Sequence, residues 1–317
     1  MAKWLVTGGA GFIGSHIAET LVKMGEKVRI LDNFFSGSME SLSGFENKVD
    51  LVRGDIRDAK DVAKAMRGVD YCLHQAALRS VSRSMSYPEE TNDVNVGGIL
   101  ACLLGAARAK VKRFVFASSS SVYGDSLRFP QKVQDFPAPI SPYAVSKLTG
   151  EFYCKMFTKS FGLSTVSLRY FNVFGPRQDP KSKYAVVVPR FIISALQGAP
   201  LKVHWDGLQS RDFTFVSDIV RCNILAAQAP NPKNGVYNVG CGSTASLLTM
   251  IKLLESFAGK KLTKEFVPKR EGDVRKTFAD IEQTVRELKY KPELSFAQGL
   301  ERTYNFFKEN NRWKKYL

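Results

Sequence analysis

Short apolar runs alternate with longer stretches of helical period through the first half of the chain. KWLVTG, KVRILD, VDLVRGD, YCLHQAA and RFVFASS read as strands, and GSHIAETLVKMG, AKDVAKAMRG and GGILACLLGAARAK read as amphipathic or buried helices between them. This is β-α-β repetition. RFVFASS and STVSLRYFN are apolar at nearly every position, as strands are when helices cover both faces of a parallel sheet. The expected fold is α/β, with a doubly wound parallel sheet.

After about Tyr170 the pattern changes to loops carrying Pro176, Pro180 and Pro189, short strands, and a helical end from Ile281 to Asn310. A smaller mixed α/β lobe is expected there. DFTFVSDIVRCNILAAQ followed by GVYNVG reads as a return to the sheet. The first domain therefore takes residues 1–170 plus about 214–240, and the second lobe 171–213 and 241–317.

The formal charge is +16, but the basic residues are dispersed, and only RWKKYL with Lys308 approaches a cluster. A solvated surface explains that distribution, so nucleic acid is not an expected partner. No apolar stretch reaches the length of a bilayer-spanning helix, and the first residues enter a strand with no basic and cleavable apolar leader. A cytoplasmic enzyme is expected. Cys72, Cys102, Cys154, Cys222 and Cys241 lack paired spacing and read as small core residues. His16, His74 and His204 lack metal-ligand spacing, so no metal is expected.

Chemistry enters at TGGAGFIGSH, where Gly8, Gly11 and Gly14 follow a strand and open a helix. The first glycine permits a tight turn, the second lets a pyrophosphate approach the main chain, and the third allows close packing of helix on strand. The helix N-terminus then favours an anion. Asp32 ends the second strand about 18 residues beyond Gly14, the distance at which an acid meets the adenosine ribose. A 2′-phosphate there would meet a carboxylate, and the following NFF supplies no arginine, so the cofactor is expected to be NAD in a Rossmann-type domain. Phe12, Ile13, Asn33 and Ile56 flank these positions. Asp55 either reaches the adenine or caps the helix beginning near Arg57.

SPYAVSK places Tyr143 and Lys147 four apart, on one helix face. A nearby ammonium favours the phenolate, and an oxidised nicotinamide alongside adds positive charge, so Tyr143 is expected to act as a base near neutral pH, assisted by Lys147. The serine run FASSSS offers Ser119 first, then Ser120 and Ser121, to bridge substrate and Tyr143; others in the run satisfy backbone groups.

TGGAGFIGSH, LDN, GDIRD, HQAA, SSSSVYGD, SPYAVSK, LRYFNVFGPRQ, SRDFTFVSD, YNVGCG and REGDVRKTFAD occur in an order that resembles the extended short-chain dehydrogenase/reductases, and specifically their nucleotide-sugar 4-epimerases. The subgroup acting on UDP-N-acetylhexosamines is the most similar. The resemblance implies that Tyr143 takes the proton of the sugar 4-hydroxyl while hydride passes to NAD⁺. The resulting 4-keto sugar turns over about its diphosphate tether and is reduced on its other face. Ser119 would bind that oxygen and Lys147 the nicotinamide ribose. Gln75, Ala76, Ala77 and Asn95 match positions lining the dinucleotide, and Tyr170 one near the nicotinamide. Asn172, Val187, Arg211, Arg270 and Asp273 match positions gripping the UDP. A guanidinium fork suits a diphosphate, with Arg275 a weaker candidate than Arg211 and Arg270. The family also implies a homodimer built from the helix near Gly97–Lys110 and the Tyr143 helix.

Related dehydratases and decarboxylases resemble TDEVYG or TSEVYG where this chain has Ser119–Gly124, and they need an added acid or base there. Serine favours oxidation and return. Thr277 stands where a bulky aromatic restricts epimerases to non-acetylated sugars, leaving room for an N-acetyl group. Arg79 replaces a glycine of the acetylhexosamine subgroup; it fills the pocket, recruits a uronic carboxylate, or faces solvent. A non-catalytic nucleotide sensor or RNA-binding protein is the contrasting class, disfavoured by the intact Ser119, Tyr143 and Lys147.

Overall fold

The computed structural model describes residues 1–179, 187–230, 235–269, 274–309 and 314. The first half runs β1 (Lys3–Thr7), α1 (Phe12–Lys23), β2 (Lys27–Asp32), β3 (Val49–Arg53), α2 (Ala59–Met66), β4 (Tyr71–His74), α3 (Val81–Ser86), α4 (Pro88–Asn92), a wide turn over Asp93–Gly97, α5 (Gly98–Arg108), β5 (Arg113–Ser119), α6 (Pro142–Phe161) and β6 (Thr165–Tyr170). There follow β7 (Val173–Phe174), α7 (Val187–Gln197), β8 (Leu201–His204), β9 (Ser210–Arg211), β10 (Thr214–Phe215), α8 (Val216–Gln228), β11 (Val236–Val239), β12 (Ala245–Ser246), α9 (Leu247–Ala258), β13 (Lys264–Val267), α10 (Glu282–Leu288) and α11 (Phe296–Glu309).

Seven strands form one parallel sheet in the order β11-β6-β5-β4-β1-β2-β3. Strand periodicity divides its core. Trp4 and Val6 of β1 pack with Ile17 and Leu21 of α1 and Ile219 of α8, whereas Leu5 joins Val62, Ile99, Leu103 and Cys154 of α2, α5 and α6 on the other face. The doubly wound Rossmann-type sheet expected from the sequence is therefore present. Cys72, Cys102, Cys154 and Cys222 are buried and Cys241 is partly so; all five thiols are free.

The smaller lobe has its own apolar cluster, in which Phe174, Phe191, Phe213, Phe215, Leu300 and Phe307 meet. The segment after Arg211 returns to the sheet: α8 packs on α1, and β11 pairs with β6 in the register Val236↔Ser167. Two local expectations fail. Pro189 lies inside α7 rather than in a loop, in the first helical turn where its missing N–H costs nothing. The helical end is two helices, broken where Lys289 takes φ 56° and Pro292 follows. Pro180 and Asn310 lie outside the described residues.

Candidate active site

A cleft opens at the carboxyl ends of β1, β2, β3, β4 and β5, and the glycine turn borders it. Gly8 has φ 69°, a left-handed value suited to glycine, and its N–H donates to Leu31 O at 2.8 Å. A Cβ on Gly8 would lie 2.7 Å from the Ala76 nitrogen. One on Gly14 would lie 2.1 Å from the Gly8 oxygen, so the third glycine seats the helix against the turn itself rather than against a strand. Gly11 differs: a Cβ there would meet only Gly8 O, at 3.2 Å, and the residue otherwise borders the cleft. It is also the N-cap of α1, which has no side-chain cap and no acidic residue in its first turn. The helix therefore presents its first N–H groups and positive end to the cleft, with Phe12 and Ile13 lining it.

Asp32 ends β2 in the cleft wall, with Oδ2 accepting from Ala10 N at 2.9 Å and Oδ1 from Phe34 N at 2.8 Å. Desolvation raises its pKa against these two bonds. Each oxygen retains a lone pair for a ribose hydroxyl. Asn33, Asp55 and Ile56 also line the cleft, and Asn33 Nδ2 donates to Asp55 Oδ2 at 2.9 Å. Asp55 is not the helix cap; Asp58 caps α2 by accepting from Lys60 N and Asp61 N. Instead Asp55 takes Arg57 Nε and NH2 at 3.0 and 2.9 Å, and this pairing holds its carboxyl well below the ordinary range.

Gln75, Ala76 and Ala77 line the cleft beyond β4. Gln75 Nε2 donates to Asn223 Oδ1 at 3.1 Å, and Tyr170 Oη donates to Gln75 Oε1 at 3.2 Å, fixing both residues at the wall. Asn95 is misplaced by the sequence reading. It is buried behind this loop, accepting Leu78 N–H at 2.8 Å and donating to Leu78 O and Ser146 Oγ, both at 3.0 Å, so its amide braces the wall without lining it.

Helix α6 starts where Ser141 Oγ accepts Ala144 N–H and Pro142 fills the first turn. Tyr143 and Lys147 follow on one face, and both line the cleft. Lys147 Nζ donates to Ala117 O at 2.8 Å and lies 5.0 Å from the Phe116 ring centre and 5.8 Å from that of Tyr143. With no carboxylate to stabilise the charge, burial lowers its pKa to about 7. Among the protein's own groups, desolvation raises the Tyr143 pKa, and its opponents are the Ser119 hydroxyl and the Arg79 charge rather than Lys147. Arg79 borders the cleft, where desolvation lowers its pKa and Asp179 and Tyr143 act oppositely.

The serine run divides by neighbour. Ser118 Oγ donates to Glu151 Oε1 at 2.5 Å, within a buried pair that Glu151 forms with Arg169 at 2.8 and 2.7 Å. Ser119 Oγ caps the turn after β5, accepting from Ser121 N at 3.2 Å and Ser121 Oγ at 2.9 Å. Ser119, Ser120 and Ser121 are all half-buried beside the dinucleotide cleft rather than in its wall.

A second group gathers in the smaller lobe. Asn172 Nδ2 donates to Thr277 Oγ1 at 2.7 Å and to Asp212 O at 3.2 Å, and Arg211 NH2 donates to Val274 O at 2.7 Å. Asp212, fully buried, accepts N–H groups from Cys241, Gly242 and Ala279 and so knots the segments that carry Arg211 and Thr277. Val187 opens α7, half-buried. Arg275 is engaged elsewhere, its NH1 donating to both carboxylate oxygens of Asp206 at 2.8 Å and its guanidinium 4.5 Å from the Trp205 ring centre. Arg270 and Asp273 lie outside the described residues.

Residues 4–240 match the model of the NAD dependent epimerase/dehydratase family. A UDP-N-acetylglucosamine 4-epimerase from Methanobrevibacter ruminantium M1, solved with UDP-N-acetylmuramic acid, superposes with a TM-score of 0.93 at 38% identity, over 98% of this chain and 99% of that one. The UDP-glucose 4-epimerase of Mycolicibacterium smegmatis is 35% identical over 98% of this chain and all 100% of its own length. The UDP-glucuronate 4-epimerase of Thermodesulfobacterium geofontis is 32% identical over 98% and 97%.

The chain belongs to the NAD-dependent epimerase/dehydratase family. It is an enzyme with NAD as its cofactor, and the related UDP-sugar 4-epimerases are isomerases. The residues present fit the dinucleotide: the open side of Gly11 and the uncapped α1 suit its diphosphate, and the free lone pairs of Asp32 suit its adenosine ribose. Sequence reasoning missed Phe35, Ser36, Gly54, Arg57, Leu78, Glu90, Val94, Ala117 and Ser118, which also line the family's cleft here. Most lie just beyond or within the ends of β2 to β5, where the crevice rule for open α/β sheets points; Glu90 and Val94 carry no such signal.

Proposed function

We propose that the protein is a UDP-sugar 4-epimerase in which Tyr143 is the acid-base residue, with Lys147 and Ser119 its partners. The carrying observation is that Tyr143 and Lys147 face the same cleft as the glycine turn, with the Ser119 hydroxyl acting on the phenol. Bound NAD supplies the hydride acceptor and donor that oxidation and return at one sugar carbon require. Gly8, Gly11, Phe12, Ile13 and Gly14 would hold its diphosphate, Asp32 and Asn33 its ribose, and Asp55, Ile56 and Gln75–Ala77 its flanks.

Tyr143 Oη takes the 4-hydroxyl proton as the alcohol is oxidised and returns it as the ketone is reduced. Burial opposes its ionisation, and Arg79 and Ser119 favour it. Ser119, already an acceptor for Ser121, turns its own hydroxyl proton toward the same sugar oxygen. Lys147, anchored on Ala117 O, provides a nearby proton donor whose pKa of about 7 lies in the working range. Asn172, Val187, Arg211, Arg270 and Asp273 would take the UDP and Thr277 the sugar side. No acid occupies Ser119–Gly124, which disfavours elimination and decarboxylation by the same fold.

A half-buried threonine rather than a bulky aromatic at 277 favours UDP-GlcNAc and UDP-GalNAc, with UDP-glucose and UDP-galactose also admitted. A uronic substrate is the second reading, favoured by Arg79: it borders the cleft and makes no ion pair or hydrogen bond among the described residues. Val145, Phe152 and Met156 are exposed along α6 and support a homodimer through that face. No helix among the described residues is long and apolar enough to cross a membrane, and a cytoplasmic setting is the proposed one. Separate incubation with UDP-GlcNAc, UDP-glucose and UDP-glucuronate, with C4 epimers resolved by NMR, tests the reading; failure to epimerise all three would overturn it.

A further inference from the structure

The loops after β2 and β4 flank the glycine turn, because β1 lies between those strands in the sheet. They meet above it. Phe35, from the β2 loop, and Glu90, from α4, both border the dinucleotide cleft, and Arg83 of α3 contacts both from behind that lining. The Arg83 guanidinium lies 5.5 Å from the Phe35 ring centre and 5.0 Å from that of Tyr87, and its NH2 donates to Glu90 Oε2 at 2.7 Å. Planar guanidinium suits such stacking in a way that an ammonium does not.

Both sides of this contact are anchored. Ser38 N donates to Ala10 O at 3.1 Å and Ala10 N to Asp32 Oδ2, tying the β2 loop to the glycine turn. On the other side Ser80 caps α3, and Ser84 Oγ accepts the Tyr143 N–H at 3.1 Å, tying α3 to the catalytic helix. Phe35 is nevertheless 60% exposed, so its ring adds little to the core. A large apolar side chain held at the edge of a ligand cleft by a cation from the opposite loop needs a reason beyond folding.

We propose that Phe35 and Arg83 form a clasp across the cleft mouth that retains bound NAD. An enzyme that oxidises and reduces the same molecule regenerates its cofactor at each turnover, so slow dissociation carries no kinetic penalty. The two loops cannot separate to release the dinucleotide until the Phe35–Arg83 contact breaks. The inference concerns NAD alone and does not depend on which sugar is turned over.

The test loads the full chain with labelled NAD and follows its release into excess unlabelled NAD, without any sugar. Phe35→Ala and Arg83→Gln should each release NAD roughly two- to fivefold faster than wild type, the range that loss of a partly exposed cation–π contact gives. Phe35→Tyr, which keeps the ring, should release at the wild-type rate. Thermal melting of each variant without NAD checks that the fold is unchanged. Wild-type release rates in both variants would overturn the clasp. So would acceleration in Arg83→Gln alone, which would assign the effect to the Arg83–Glu90 pair.

Discussion

The Lys147 ammonium lies 5.8 Å from the centre of the Tyr143 ring but donates its hydrogen bond to Ala117 O rather than to the phenol or a carboxylate. Proximity on one helix face thus does not make lysine the residue that acidifies the tyrosine here. The proton-transfer role of Tyr143 can be separated from the cleft's shape. Tyr143→Phe should bind NAD as wild type does and lose at least about 100-fold in epimerisation rate. Equilibrium binding of NAD and single-turnover kinetics measure the two.

Arg79 should shift the pH profile rather than abolish turnover. It favours the Tyr143 phenolate, so Arg79→Gln raises the phenol pKa and moves the acid limb of kcat/KM to higher pH. If the guanidinium also pairs with a uronate, the loss with UDP-glucuronate should exceed the loss with UDP-glucose by about tenfold or more. Parallel pH profiles for the two sugars measure both effects, and equal losses would remove Arg79 from substrate selection.

The glycines should divide by what they touch. Gly14→Ala forces a Cβ to 2.1 Å from the Gly8 oxygen, so the turn must move and both stability and NAD binding should fall. Gly11→Ala meets that oxygen only at 3.2 Å, so the protein should fold and bind NAD more weakly. Melting temperature with and without NAD separates the two outcomes.

Glu151 and Arg169 are 5% and 4% exposed, and the carboxylate also accepts Ser118 Oγ. Glu151→Ala leaves a buried guanidinium uncompensated and should cost about 3–5 kcal/mol of stability, measured by denaturant unfolding. A double variant, Glu151→Leu with Arg169→Met, should recover most of that loss.

The glycine turn, Asp32 and the Tyr143–Lys147 pair were legible because each is local: a strand end, a turn and one helix face set them within a few residues. What failed was set by distant chain. Asn95 reads as a cleft residue, yet its amide is taken by Leu78 and Ser146, partners that folding alone brings near. Of the two readings of Asp55 only the cap is lost, to Asp58, and Asp55 borders the cleft with its carboxylate paired to Arg57 two residues on. Spacing brings Lys147 near Tyr143 without revealing that Ala117 O accepts from the ammonium or that the Ser119 hydroxyl and the Arg79 charge are the protein groups acting on the phenol. Pro189 reads as a loop marker, but a proline in the first turn lies where its N–H would lack a partner.

The last strand of the large sheet has a bearing on synthesis. Every residue of β6 is buried, and β11, which covers its outer edge, is made only after most of the second lobe's first segment has left the ribosome. Until Val239 emerges, the nascent chain carries a strand with an open row of amides and carbonyls, a template for sticking to other chains. A protein cut between Tyr170 and Val236 should therefore accumulate in inclusion bodies rather than as a free nucleotide-binding fragment.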